Sequence, residues 1–131
     1  VDNKFTLQSK ESLIYDATTG LYWQQGGSGS INYVNAQKYI EQLNIDKYGG
    51  YSDWRLPTLK EAMSLMEPNE NNSNLYIDPI FNENQERIWT ADKLSSILVW
   101  VVHFYHGHCD DGRIDKDKET NSVRAVRREQ F

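Results

Sequence analysis

The chain has 131 residues, 38% of them hydrophobic, with four Trp and eight Tyr, enough apolar surface for one domain and one core without metal or disulfide staples. Its net charge of −5 excludes a general binder of phosphate backbones, so nucleic acid is not an expected partner, and no apolar run reaches the length of a membrane span. The one short basic cluster is Arg124, Arg127 and Arg128; two of its members fall inside a strand-like run, where a structural role comes first.

Leu13–Asp16 and Leu21–Trp23 read as two short strands, joined by Ala17-Thr18-Thr19-Gly20, whose glycine suits positive φ. Gly26–Ser30 is a loop. Tyr33, Ala36, Tyr39, Ile40 and Leu43 recur at helical spacing, with Asn32 or Ser30 as the cap, and Tyr48–Tyr51 turns the chain. Pro57 stops helix continuation upstream of Thr58-Leu59-Lys60-Glu61, a capping box in which Thr58 and Glu61 satisfy each other's amides. Leu59, Ala62, Met63 and Met66 form the apolar face of this second helix, and Pro68 with the asparagine-rich stretch to Asn74 ends it.

The remainder is β-rich. Ile88–Thr90 is a short strand, and Ile97–Tyr105 is a nearly continuous apolar run expected as a central strand buried on both faces. Asp110-Asp111-Gly112 reads as a turn and Ser122–Arg127 as the last strand. No internal repeat or domain boundary interrupts the chain, so one domain is expected over residues 1–131, with its core between about 13 and 128.

Few residue groups carry chemistry. The three histidines, His103, His106 and His108, stand close to Cys109, Asp110 and Asp111. His106 and His108 at i, i+2 share a strand face and have workable zinc spacing, while His103 points to the opposite face unless a bulge at Gly107 intervenes. The default reading is a strand end with exposed polar residues, and no cofactor, calcium and zinc included, is favoured. The acidic stretch from Asp110 to Glu119 lacks an EF-hand pattern and reads as a solvated hairpin. Cys109 is the only cysteine, so an intrachain disulfide is impossible, and it reads as a partly buried thiol near a turn. Trp23, Trp54, Trp89 and Trp100 fall in core elements, which leaves tyrosines such as Tyr51 and Tyr105 as better ligand contacts. Asp53, Arg55 and Arg124 are expected to form a structural polar network, because a buried guanidinium calls for a carboxylate.

In order, these blocks resemble the Lcl C-terminal domain family of bacterial surface and secreted proteins. The resemblance rests on Asp16, Thr19, Gly20, Leu21 and Trp23, then Tyr33, Ala36, Tyr39 and Leu43, then Gly50 to Thr58 throughout. Leu65, Ile80, Phe81, Trp89, Thr90, Trp100, Phe104 and Gly107 continue the series, and Val123-Arg124 with Val126-Arg127 closes it. It implies an exported α+β domain of C-type-lectin-like fold, two helices packed on a small, mostly antiparallel sheet with the terminal strands close together. It also implies a placement that is extracellular, at the cell surface or periplasmic. The family's founding member looks like an adhesin that binds sulfated glycosaminoglycans. Ala125 stands where the family often has Cys, so a disulfide available to some relatives is not available here. No signal-peptide pattern opens the sequence, which begins at Val1 as a mature or trimmed chain would.

Two enzyme-like or lectin-like motifs give way on inspection. The Arg-Leu-Pro-Thr block also resembles the formylglycine-generating group, whose copper chemistry needs a cysteine pair that a lone Cys109 does not supply. Glu67-Pro68-Asn69 spells the calcium and mannose tripeptide of C-type lectins but precedes the strand it follows there, so a helix stop is the better reading. The expectation is therefore a non-enzymatic recognition or adhesion module that meets a glycan or protein at a cell surface. Sulfated polysaccharide is the first ligand to test, provided Lys93, Arg113 and Lys116 form a basic patch. The expected contact surface is the loops Trp89–Ser96 and Tyr105–Arg113, with Lys93, Tyr105, His106, His108, Asp110, Asp111 and Arg113 as contact residues. Asp53, Trp54, Arg55, Thr58, Glu61 and Arg124 are assigned to architecture. The alternatives are a structural or homo-oligomerising terminal domain of a longer surface protein and a metal-binding domain built on His103–Asp111.

Overall fold

Asp16 closes the first hairpin. Its carboxylate accepts from the Thr18 amide at 3.0 Å and the Thr19 hydroxyl at 2.9 Å, and Gly20 completes the turn at φ 73°. The computed structural model of the chain describes residues 3–8 and 12–129; of the domain expected over 1–131, residues 1–2, 9–11 and 130–131 lie outside this description. The hairpin strands are β2 (Leu13–Asp16) and β3 (Leu21–Gln24), as expected, and β1 (Phe5–Gln8) adds antiparallel to β2. No sequence signal marked β1, because its middle residues Thr6 and Leu7 are exposed and leave no burial pattern to read.

The helices start where their caps stand. The Asn32 side chain accepts from the Asn35 amide at 2.9 Å and opens α1 (Tyr33–Ile45), which buries Tyr33 and Ala36. A 3₁₀ turn (Tyr48–Gly50) follows. Thr58 and Glu61 form the capping box of α2 (Leu59–Met63), and the Asp92 carboxylate accepts from the Leu59 amide beside it. This helix is shorter than the apolar spacing implied: Ser64 caps it, and Met66 packs on the core from the turn beyond.

The second sheet is β4 (Arg87–Lys93), β5 (Leu98–His103) and β6 (His108–Arg113), antiparallel throughout. It corrects two expectations. Asp110-Asp111-Gly112 is not a turn but part of β6; the turn is Phe104–Gly107, where Gly107 takes φ 74°. Gly112 serves a different need, since a Cβ there would sit 2.6 Å from the Trp89 ring and 2.7 Å from Val101 Cγ2. The central strand β5 is buried on both faces only at Val99, Val101 and Val102; Leu98 and Trp100 are half-buried and Ile97 is exposed.

The last strand, β7 (Val126–Arg128), is also shorter than expected. It pairs with β3, giving the first sheet the order β1-β2-β3-β7. The preceding residues join the sheets instead of extending one: Ser122 bridges Ile88 of β4, and the Ala125 carbonyl accepts from the Gln24 amide at 3.0 Å. The fold is thus α+β, with two α-helices and two antiparallel sheets rather than one sheet among the described residues.

Two apolar clusters hold these layers. Ile14, Trp23 and Val126 align across the first sheet and face α2, Ile88 and Val102. On the other side Trp54, Trp89, Val99 and Val101 pack under α1, where the Trp89 indole donates to the Ile31 carbonyl at 2.9 Å and meets Tyr33 edge-on at 5.3 Å.

Candidate functional site

The residues expected to touch ligand do not converge. The turns at 94–97 and 104–107 leave opposite ends of β5, so six strand residues, about 20 Å at ~3.3 Å per residue, separate them. Lys93 and Arg113 stand at one end, Tyr105, His106 and His108 at the other, and Asp110 and Asp111 between, exposed on β6. The expectation that these loops cluster on one side is therefore wrong. Nor is Arg113 a free cation, because Asp115 takes its Nε and Nη2 at 2.9 Å each, and that bond holds the Asp115 carboxyl below its usual range. A basic patch through Lys93, Arg113 and Lys116 is weakened accordingly.

The three histidines do come together. His103 and His108 are direct cross-strand partners, and the turn through Gly107 folds His106 back over them. Ring centroids lie 5.3 Å apart for His103 and His108, 6.1 Å for His103 and His106, and 5.5 Å for His106 and His108, the last pair stacked. His103 thus shares a face with His108, contrary to the alternation of a single strand, because the chain reverses between them. Burial first, then the charges of His108 and Arg87, push the His103 pKa down. Among the described residues no three His, Cys, Asp or Glu side chains are placed to hold a metal ion. Cys109 is half-buried on β6 against the first core cluster, and Glu67-Pro68-Asn69 follows α2 in a loop whose Glu67 amide donates to the Tyr76 carbonyl.

The residues assigned to architecture are anchors, but not one network. Asp53 accepts from Arg127 Nε at 2.6 Å, and Arg55 makes a two-pronged bond to Glu61 at 2.7 and 2.8 Å. Burial pushes the Glu61 carboxyl up, yet the bonds from Arg55 and Thr58 outweigh it and hold the pKa below the ordinary value. Trp54 is fixed by Asn44 at its amide and by the Tyr48 carbonyl at its indole. Arg124, 0% exposed, corrects the expectation of a carboxylate partner. Its Nε donates to the Gly26 carbonyl at 3.1 Å and its Nη2 to the carbonyls of Gln25 and Asn82 at 3.2 and 2.9 Å. Burial brings its pKa down to about 9.

Two neighbouring surfaces remain. On one face of the first sheet Tyr15, Tyr22 and Arg127 are register partners. Tyr15 and Tyr22 lie 4.7 Å apart by ring centroid, and Tyr51 continues the row 5.9 Å from Tyr22. Arg127 lies over both Tyr51 and Tyr22, at 3.7 and 5.2 Å, and fixes them from one side. All three rings are half-exposed. The Tyr15 hydroxyl donates to Glu129 at 2.8 Å, a bond that raises its pKa and keeps it a neutral phenol. Beyond the 3₁₀ turn is a cleft of about 540 Å³, lined by Ser12, Gln24, Gln25, Tyr39, Tyr48 and Asn82 among others.

The anchors, in order along the chain, are what a family pattern records, and the model of the Lcl C-terminal domain matches residues 12–127. The chain belongs to the Lcl C-terminal domain family. No curated protein matches it at a significant level. In this Lcl domain the sequence named Tyr51 as a candidate ligand contact, and the structure places Tyr15 and Tyr22 in a row with it. The alternation of Tyr15 with Ile14 and of Tyr22 with Trp23 was the available signal, since partners in register put both tyrosines on the face opposite the first core cluster. The cleft had no local signal, because Gln24, Tyr39, Tyr48 and Asn82 come from four separate segments of the domain.

Proposed function

We propose that this Lcl domain is a non-catalytic recognition module of C-type-lectin-like architecture, exported to a cell surface or secreted, that binds saccharide chains. The observation that carries the reading is the row Tyr15, Tyr22 and Tyr51, braced by Arg127 and Asp53. Tyrosine offers a large, rigid, amphipathic contact surface at small entropic cost, and bracing reduces that cost further. A pyranose presents an apolar C–H face to such a ring and hydroxyls to its rim. The lone thiol, packed against the core, favours no copper-dependent chemistry, and we read the histidines as a cluster of stacked rings at a strand end rather than a cofactor site.

An oligosaccharide array read over a salt series tests this. Binding to the wild-type chain that falls at least tenfold in Tyr22→Ala, with an unchanged melting temperature, is expected. Silence toward every neutral and sulfated glycan at low salt would remove the reading. A second reading, a homo-oligomerising terminal domain, is favoured by exposed Leu94 and Ile97 beside half-buried Leu98 and Trp100 at the β4–β5 turn. Light scattering tests it: a monomer at all concentrations would exclude it.

A further inference from the structure

We infer that the cleft beside the tyrosine row is a subsite for one uncharged sugar unit, an inference that rests on the saccharide-binding reading and assigns its ligand class. The cleft holds about 540 Å³, and among the described residues no Asp, Glu, Lys, Arg or His lines it. Its polar side chains are amides and hydroxyls, those of Ser12, Gln24, Gln25, Tyr39, Tyr48 and Asn82, with Ile80 and Phe81 as apolar wall. Amides and hydroxyls both donate and accept, which suits the paired hydroxyls of a sugar, whereas none of the described lining residues offers a cation to a sulfate or carboxylate.

The walls are built rather than loose. The buried Arg124 joins the Gln25–Gly26 wall to the Asn82 wall through three carbonyls. The Asn82 amide donates to the Gln25 carbonyl at 2.9 Å, and Gln25 Nε2 donates to the Ile80 carbonyl at 2.9 Å. Gln24 holds Tyr39 by its Nε2 at 2.9 Å and accepts the Ala125 amide at 2.8 Å. A site so fixed loses little freedom when occupied.

Its position extends the row. Leu13 and Gln24 are register partners on the face that carries Tyr15 and Tyr22. The 3₁₀ turn rests on Leu13, with Gly49 so close that a Cβ would lie 2.7 Å from Leu13 Cδ1. Tyr48, at the cleft, begins that turn and Tyr51, in the row, follows it. The row and the cleft thus flank one 3₁₀ turn, and a saccharide long enough to cross that turn would meet both.

Gly26→Leu tests the assignment. Gly26 has no positive φ and a Cβ there meets nothing within 4 Å, so the side chain fits the fold while filling the cleft mouth. The probes are neutral tetrasaccharides of glucose, mannose and N-acetylglucosamine, and a heparin tetrasaccharide, titrated into the isotope-labelled full chain by NMR. We expect a neutral probe to shift the amides of Gln25 and Asn82, and Gly26→Leu to weaken it at least tenfold with an unchanged melting temperature. Wild-type affinity in Gly26→Leu, with loss in Tyr22→Ala, would overturn the subsite and leave the saccharide reading standing. Heparin shifting the cleft amides as strongly as the neutral probes would overturn the ligand class. Binding of no probe by the wild-type chain would remove the reading and the subsite together.

Discussion

The guanidinium carbon of Arg127 lies 3.7 Å from the ring centroid of Tyr51, while its Nε donates to Asp53 at 2.6 Å. One side chain thus ties the segment after the 3₁₀ turn to β7. Arg127→Leu keeps the bulk but loses the ion pair and the stacking, and should cost about 2 kcal/mol by chemical denaturation. Asp53→Asn should cost less, since Asp53 is 42% exposed and water replaces part of the bond. Equal losses in the two variants would show that stacking on Tyr51 contributes nothing.

Arg124 gives a sharper result. Removal of this buried side chain leaves the carbonyls of Gly26 and Asn82 without their Arg124 donor, while the Gln25 carbonyl keeps the Asn82 amide. Arg124→Ala should destabilise by roughly 3–5 kcal/mol, from the emptied volume and the unpaired carbonyls together. Arg124→Lys should recover little, because one ammonium does not reproduce the fork that spans both walls. A lysine variant with wild-type stability would contradict this account.

Glu61 serves helix and ion pair at once. Thr58→Ala should cost about 1 kcal/mol through the lost cap. Because the folded Glu61 pKa is below its unfolded value, its contribution is present above about pH 4.5 and is lost as pH falls through the lower folded value. Glu61→Gln should therefore lower the melting temperature at pH 7 and flatten the acid side of the stability profile. An unchanged profile below pH 4.5 would rule out this coupling.

His103 acts in a different window. Its folded pKa is depressed below 6.5, so the stability it carries is full above pH 6.5 and is lost as pH falls through the folded value. The groups facing it are Arg87 across β4, His106 and His108 across the turn, and Asp110, whose charge opposes the shift. His103→Gln should reduce the loss of stability between pH 7 and pH 5, measured by thermal melts. A variant that melts in parallel with the wild type over that window would exclude the mechanism.

How much of this was legible in the sequence varies by the range of the contact. Asp16, Gly20, Asn32, Thr58 and Glu61 act within four residues of themselves, and hairpin, helix starts and capping box stand where those residues indicated. Asp-Asp-Gly misled because its glycine answers to Trp89, more than twenty positions away, not to a local turn. The ion pairs were misassigned for the same reason: Asp53 and Arg127 are 74 residues apart, and only register decides which arginine arrives. The two loops expected to form one contact surface do not meet, since they sit at either end of one strand and only the pairing register shows it.

The segment from Asn121 to Val126 touches Ile31, Ile88 and Arg55 and leads into the pairing of β7 with β3. Both sheets therefore wait on residues that leave the ribosome after β1 to β6. A nascent chain halted before them would expose the inner faces of two unfinished sheets, so folding of the domain should follow the emergence of this segment rather than precede it. Protease resistance that appears only after residue 126 has emerged would be the mark of it.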